Sequence, residues 1–539
     1  MSIFSIGLSG LNAAQNALNT TSNNISNVYT PGYNRELTIL GEGRGDGGVR
    51  VNDIQRQFNQ YVANQLNSAT SSSSALAAYQ GQISQIDNLL ADRDAGLAPL
   101  MQNFFSALQD LAGAPSDPAA RQGVLGTAQT LTSQFRSFDG YLQDMQSGIN
   151  GQIRDEVTQI NNTTEQLAIL NREIALARAR TGDAPNGLLN QRDQLVAELS
   201  ERMDIRLIIQ DGKTYNISLP NGQPLVSGTN HYKLEAMDSP NDPERTVLGY
   251  RDSGGNLVAL PENTVKGGTL GGLMEFRAES LDKTQNQIGQ LAVSLAVGFN
   301  QIHEDGFDLN GDPGQSFFKL GEPNVYGNTR NSGDIGITKA FDFGRVDELV
   351  ATDYTVRFEN GEPQVTRKDN GQAVAIQPGD WTNNILNFGG MTLEFASTPA
   401  DGDRFEIQPV RRAAQNFETA INSIDLIAAA QSDATGDNRN ALALQELQSK
   451  TLVGGTATLN QAYASMVSDV GNKTNVVQVN LEARQGLTDQ LRAVQQSESG
   501  VNLDEEAANL LRYQQFYAAN ARVIDTASTI FDTILGLRS

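Results

Sequence analysis

The chain has 539 residues, no cysteine, one tryptophan and a formal charge of −23. Disulfides, thiolate chemistry and cysteine-ligated metals are therefore excluded, and so acidic a chain is repelled by nucleic-acid phosphates. The charge is uneven: residues 92–500 carry −20 of it, leaving both ends near neutral and the middle acidic and suited to water.

The length predicts three or four domains. Asn, Gln, Ser, Thr and Gly are abundant, which favours a long or assembling architecture over one large globule. No apolar run is long enough to span a membrane. No basic stretch followed by an apolar core marks the N-terminus as a secretory signal. Taken alone, these features give a cytoplasmic expectation.

Residues 1–34 contain no charged side chain. Phe4, Leu8, Leu11, Leu18, Ile25 and Tyr29 follow a four–three alternation, with Gln15 and Ser22 filling the gaps. This is a helical seam. The Asn, Thr and Ser run at 19–24 makes an isolated helix marginal. Thr30-Pro31-Gly32-Tyr33 ends it. Gly41–Gly48, with five glycines, reads as a flexible loop, and the Arg44-Gly45-Asp46 within it is a chance-level match with no adhesive role assigned.

Residues 57–86 are again uncharged, with Ser71–Ser74 between flanks of helical spacing. A helical block runs through Leu97, Leu100, Phe104, Leu108 and Leu111 to a break at Ala114–Pro118. Asp117 or Ser116 then caps a long helix with Pro118 in its first turn. Its seam is Leu131, Phe135, Phe138, Leu142, Met145 and Ile149, continuing to Ile174, and it predicts a rod-like coiled-coil domain. A short helix spans Leu188 to about Met203.

The period then becomes strand-like. Ile205–Gln210 and Thr214–Leu219 flank Asp211-Gly212, a hairpin signal. A small β domain is expected over 204–265. Helix returns from Leu273 to Ile302. A second β domain is expected over 325–410, with Tyr354–Glu359 and Gln364–Lys368 flanking Asn360-Gly361. From Arg411 onward the spacing reads helical, through Phe417, Ile421 and Ile424, then Leu459 to Leu481. At the end, Leu503, Leu510, Tyr517, Ile524, Phe531 and Leu535 form a second long seam, capped by Asn502 with Asp504, Glu505 and Glu506 in its first turn. The two terminal seams are expected to be weakly ordered alone and to order against each other and against neighbours.

No catalytic or cofactor-binding constellation emerges, and no cofactor is expected. His231 and His303 fit no metal or triad pattern. His303-Glu304 lacks the second histidine of a zinc-protease helix. Asp308-x-Asn310-x-Asp312 begins like a calcium loop, but Pro313 stands where glycine is needed and Lys319 where the bidentate glutamate is needed, so a polar turn is expected.

Asn23-Asn24-Ile25-Ser26-Asn27 followed by Thr30-Pro31-Gly32-Tyr33 resembles the N-terminal signature of flagellar rod, hook and hook-associated proteins. Val501–Glu506 with Tyr517–Ile524 resembles their C-terminal signature. Leu188–Leu195 (LLNQRDQL), Gly268–Leu273 (GTLGGL) and Ser465–Gly471 (SMVSDVG) narrow the resemblance to the hook-associated members.

The resemblance implies a structural protein of the flagellum at the hook–filament junction, not an enzyme. It implies export through the flagellar type III apparatus and helical self-assembly outside the cell. The implied partners are copies of itself, hook subunits, the second junction protein and filament, and a cytosolic export chaperone at the C-terminal helix; neither nucleic acid nor membrane insertion is implied. A hook subunit is the alternative within the family. A secreted peptidoglycan hydrolase or adhesin is the distant one.

The expected fold is α+β and multidomain. Residues 1–40 and 501–539 form a terminal coiled-coil unit lining an inner tube. Residues 41–203, 266–324 and 411–500 form a long-helix domain, with the β domains 204–265 and 325–410 inserted. The candidate interface residues are Leu8, Leu11, Leu18, Ile25, Leu503, Leu510, Tyr517, Ile524, Phe531 and Leu535.

Overall fold

The computed structural model describes residues 3–43, 47–92, 96–210, 214–432 and 436–536. The Arg44–Asp46 and Asp211-Gly212 motifs lie outside them. Ten α-helices form among the described residues: α1 (Ile3–Ser26), α2 (Gln60–Leu90), α3 (Leu97–Gly113), α4 (Pro118–Thr181), α5 (Asn186–Arg202), α6 (Gly268–Phe276), α7 (Asp282–Glu304), α8 (Arg439–Glu446), α9 (Leu459–Ser499) and α10 (Leu503–Gly536). The order is nested. The first helix packs on the last, and α2 packs on α9.

Residues 41–48 are not simply a loop. Glu36–Glu42 and Val49–Arg56 pair as an antiparallel hairpin, with a register shift between Ile39 and Leu40. The hairpin leans on α1, where Thr20 and Thr38 hydroxyls hydrogen-bond at 2.8 Å and the Val49 N–H donates to Ser9 Oγ at 3.2 Å. Gly47 and Gly48, where the chain enters the second strand, both have positive φ, which glycine adopts without strain.

α2 runs unbroken through Ser71–Ser74, with Asn59 capping its first turn. Small side chains here admit α6. A Cβ on Gly272 would stand 2.0 Å from the Ala75 carbonyl oxygen, and one on Gly267 2.3 Å from Ser71 Oγ. The GTLGGL glycines thus mark a close backbone crossing.

α4 has 64 residues, roughly 96 Å at 1.5 Å per residue. Asp117 caps it, Pro118 occupies its first turn, and Gly182 ends it in the left-handed conformation with φ 88°. Its apolar seam from Leu131 to Ile149 is buried. The partners change along the helix: α3, α7, strands of the first β region and α5 each cover part. The seam is therefore shared among unlike elements, and no single partner helix follows it.

The first β region holds a four-stranded sheet from Arg206–Gln210 to Asn230–His231 and a three-stranded sheet of Leu234–Asp238, Thr246–Arg251 and Leu257–Ala259. The second holds a five-stranded sheet ordered Asn324–Gly327, Arg404–Gln408, Tyr354–Glu359, Glu362–Arg367, Ala373–Val374. Against it lies a four-stranded sheet ordered Ile337–Phe341, Met391–Phe395, Ile385–Phe388, Trp381–Thr382. Phe358, Leu386, Leu393, Phe405 and Ile407 fill the space between. Asn360 and Gly361 have φ of 54° and 78°, the paired positive values of a tight hairpin turn.

The helical reading of residues 411–438 does not hold. This stretch carries two 3₁₀ turns and the strand Glu418–Thr419, which pairs with Phe318–Lys319. Phe417, Ile421 and Ile424 have helix-like spacing for another reason. An irregular chain crosses the core and drops one side chain at a time into it. Phe417 joins Phe318 at 5.1 Å and Phe135 at 5.3 Å between ring centroids. Phe299 and Phe317 extend the cluster at 4.7 Å. The Arg121 guanidinium donates to the carbonyls of Ile424 and Ile427, satisfying backbone that a helix would have satisfied internally.

A charged cluster lies where α7 meets both β regions. Arg245 forks onto Glu262 at 2.7 and 3.0 Å and reaches Asp282 at 2.7 Å. Arg277 bonds Glu262 at 3.0 Å, and Arg411 contacts Asp282 and Asp353. A single π-helical turn, Arg277–Leu281, aims Arg277 inward. Three cations face three carboxylates, so the joint is neutral. The arginines beside Glu262 and Asp282 hold both carboxyls below their ordinary range although burial opposes this.

Candidate assembly site at the joined termini

α1 meets α10 through its smallest residues. Gly7, Gly10, Ala13, Ala14, Ala17, Thr20, Thr21 and Asn24 are the buried positions of α1. α10 runs antiparallel alongside: a Cβ on Gly7 would lie 2.9 Å from Ile524 Cγ1, and one on Gly10 would strike the Asn520 side chain. On α10 the covered edge includes Glu506, Tyr513, Asn520 and Ala527, one every seven residues, with Leu510 and Ile524 beside them. A notch of about 250 Å³ remains between the helices and the hairpin, lined by Ala13, Ala14, Leu40, Val49, Tyr513 and Phe516.

Eight of the ten seam residues lie elsewhere. None is buried. Leu8, Leu503, Tyr517, Phe531 and Leu535 are exposed, Leu8 by 45 % and Phe531 by 62 %. Leu11, Leu18, Ile25, Leu510 and Ile524 are half-buried. Only Leu510 and Ile524 sit on the edge that faces α1. Tyr29 falls beyond the end of α1, in a turn, and is 89 % exposed. The helices do order against each other, but α1 meets α10 through its small residues rather than its leucine seam, which stays half-buried or exposed beside the contact. Glycine and alanine let two backbones approach closely, whereas hydropathy singles out the adjacent leucine stripe.

The first turn of α10 is tied to the end of α1 by a polar clasp. Arg35 Nε donates to Glu506 Oε1 at 2.7 Å and Arg35 Nη1 to Glu505 Oε2 at 2.7 Å. Asn24 Nδ2 donates to Glu506 Oε2 at 3.2 Å and to the Glu36 carbonyl at 2.9 Å. Its Oδ1 accepts from the Tyr33 hydroxyl at 2.8 Å and from the Glu36 N–H at 2.9 Å. The Arg35 N–H donates to the Ser499 carbonyl at 2.8 Å, closing the link to α9. Asn502 accepts from the Asp504 N–H at 3.0 Å and caps α10 as its sequence predicts. Burial, with Glu36 and Glu506 nearby, pushes the Tyr33 hydroxyl pKa up, so it stays a donor.

α5 seats this knot on the helical body. Asn34 Nδ2 donates to Asn190 Oδ1 at 2.7 Å, Arg56 pairs with Asp193 at 2.6 Å, and Gly32, φ 73°, lies so close that a Cβ would meet Gln194 at 2.9 Å. Arg192 stacks 3.4 Å over the Tyr215 ring. The LLNQRDQL stretch is thus the socket for the N-terminal signature. The sequence marks these motifs but assigns their polar residues no role; the one visible cue is that Arg35 and Glu36 are the first charges after 34 uncharged residues.

Among the described residues no group of histidine, cysteine, aspartate or glutamate could hold a metal ion. Asp308 of the calcium-like stretch spends one carboxylate oxygen on the N–H groups of Asn310 and Asp312, at 2.7 and 3.0 Å.

The two ends match models of the flagellar rod: residues 4–34 the flagella basal body rod protein, and 495–537 the flagellar basal body rod FlgEFG protein C-terminal. Between them, residues 83–318 match the flagellar hook-associated protein FlgK helical domain, and 326–409 the flagellar hook-associated protein 1 D2-like domain. Flagellar hook-associated protein 1 of Escherichia coli is 43 % identical over the full length of both chains, and that of Bacillus subtilis 25 % over 97 % of this chain and 96 % of its own. The structure of the flagellar hook junction protein FlgK from Burkholderia pseudomallei superposes with a TM-score of 0.75 at 28 % identity, covering 80 % of this chain and all of that one. The chain belongs to the flagellar hook-associated protein 1 family. It is a structural component of the bacterial flagellum and not an enzyme.

Proposed function

We propose that this chain joins hook to filament by helical self-assembly. One observation carries the reading: α1 meets α10 through its small residues, and Leu8, Leu503, Tyr517, Phe531 and Leu535 of the two apolar stripes stay exposed. Contiguous exposed apolar surface is the mark of an interaction site. Leu8, Leu11, Leu18, Ile25, Leu503, Tyr517, Phe531 and Leu535 are the residues assigned to contacts with neighbouring copies, with Leu510 and Ile524 contributing from the edge they share with α1. Such contacts are heterologous and build arrays rather than closed dimers.

In this arrangement residues 1–40 and 501–539 line the inner tube. Residues 41–203, 266–324 and 411–500 form the layer around it. The β regions 204–265 and 325–410 face outward, which suits the acidity of the middle of the chain. Hook subunits lie on one side, the second junction protein and filament on the other. Before assembly a cytosolic export chaperone covers the apolar face of α10, and the chain leaves the cell through the flagellar type III apparatus.

Deleting the gene tests the reading. Hooks without filaments are the expected outcome. Missing hooks would make the chain a hook subunit, and normal filaments would remove it from the junction.

A further inference from the structure

We propose that the Asn24–Arg35–Glu506 clasp determines which face of α1 meets α10, and so keeps the large apolar stripe free for other copies. This rests on the assembly reading above.

α1 carries two stripes of the same period. The small one is Gly7, Gly10, Ala14, Ala17, Thr21, Asn24. The large one is Leu8, Leu11, Leu18, Ile25, with Gln15 and Ser22 in the gaps, each place one residue further on. One residue is a rotation of about 100°. Hydrophobic burial alone favours covering the leucines over covering glycine and alanine. That pairing closes the monomer on its own assembly surface. The structure holds the opposite one.

The clasp opposes the rotation. Asn24 is the last member of the small stripe, and both ends of its amide are committed, one to Glu506. Turning α1 withdraws Asn24 and leaves Oε2 of Glu506, a residue 1 % exposed, without the donor it has from α1, while Arg35 holds only Oε1. A buried carboxylate oxygen that loses a donor is unfavourable. No charged side chain of α1 can replace Asn24, because residues 1–34 carry none. A single buried polar position that fixes pairing against a more apolar alternative is the register device known from coiled coils.

The absence of cysteine makes the test clean. Leu8→Cys and Ala14→Cys, each alone in the full chain, report the two faces by maleimide labelling of dilute monomer. In the native background Leu8→Cys is expected to react fast and Ala14→Cys roughly tenfold slower, as expected of a packed site. Adding Asn24→Ala with Glu506→Ala is expected to invert that order. Glu506→Gln, which keeps an acceptor for Asn24 and Arg35, is expected to preserve it. An unchanged order in the double variant overturns the proposal, because the face is then chosen elsewhere. Equal, fast labelling at both sites also overturns it, because the clasp then merely holds the helices together. The labelling is read on monomers, so its failure is distinct from failure of the junction reading, which the gene deletion tests.

Discussion

Ile524 of α10 rests on Gly7 of α1, so close that a Cβ on Gly7 would stand 2.9 Å from Ile524 Cγ1. Gly7→Leu should push the helices apart. Amide exchange at Ala14 and Ile524 is expected to rise roughly tenfold or more, while exchange in α4 stays unchanged. Unaltered exchange at both sites would show that α10 is held by other contacts.

α10 buries fully only Glu506, whereas α4 buries residues along its whole length. In dilute monomer the amides of Leu18 and Ile524 are therefore expected to exchange orders of magnitude faster than that of Phe135. Protection equal to Phe135 would contradict the view that the terminal pair completes its ordering only among neighbours.

Phe531 is exposed in the single chain, so Phe531→Asp should leave monomer stability within about 0.5 kcal/mol. Assembly is another matter, since a charge buried without a partner is costly. Filament number should collapse while the melting temperature of the monomer holds. Normal filaments would take Phe531 out of the interface.

Arg411 joins Asp282 of α7 to Asp353 of the second β region. Removing one partner of a buried charge network leaves carboxylates uncompensated, and Arg411→Met is expected to cost about 3–5 kcal/mol in urea unfolding. A loss below about 1 kcal/mol would mean that water or Arg245 compensates.

His303 is buried and neutral. Its Nδ1 faces the Gln315 carbonyl at 2.6 Å and its Nε2 accepts the Ala428 N–H at 2.9 Å, so a second ring proton has no acceptor. Burial pushes its pKa down to about 4 from 6.5. A depressed histidine favours the folded state above pH 6.5, and that contribution is lost as pH falls from about 6.5 to about 4, roughly 3 kcal/mol in total. Asp139 acts with the opposite sign, because burial lifts its carboxyl to about 6 and its protonation below that pH favours the folded state. The clean measurement is the stability difference between the native chain and His303→Gln. It should shrink by about 3 kcal/mol from pH 7 to pH 4. A constant difference would contradict the burial argument.

The long helices were legible because capping and period agree: Asp117 and Pro118 open α4 as the sequence suggests, and its seam is buried. The Asn360-Gly361 turn was legible because that dipeptide suits paired positive φ. Three features were not. The α1–α10 contact was hidden because Gly7, Gly10, Ala14 and Ala17 have the right period and little hydropathy. The 411–438 stretch imitates a helix because irregular chain can place Phe417, Ile421 and Ile424 at helical intervals. The clasp is polar, and Asn24 and Glu506 announce themselves only when seen to meet.

Asn24 and Glu506 meet across 482 residues of chain. The hairpin reaches α1 early, but loop closure over such a span brings it no α10 until the C-terminal helix is available. On a ribosome, or in any channel that passes the N-terminus first, α1 emerges with its hairpin and waits for the covering helix while the elements between are delivered. Its counterpart is the last helix to arrive. The nesting of first upon last therefore acts as a timer: the outward stripes are displayed in register only once the chain is whole, and a truncated product lacks the surface to enter the array.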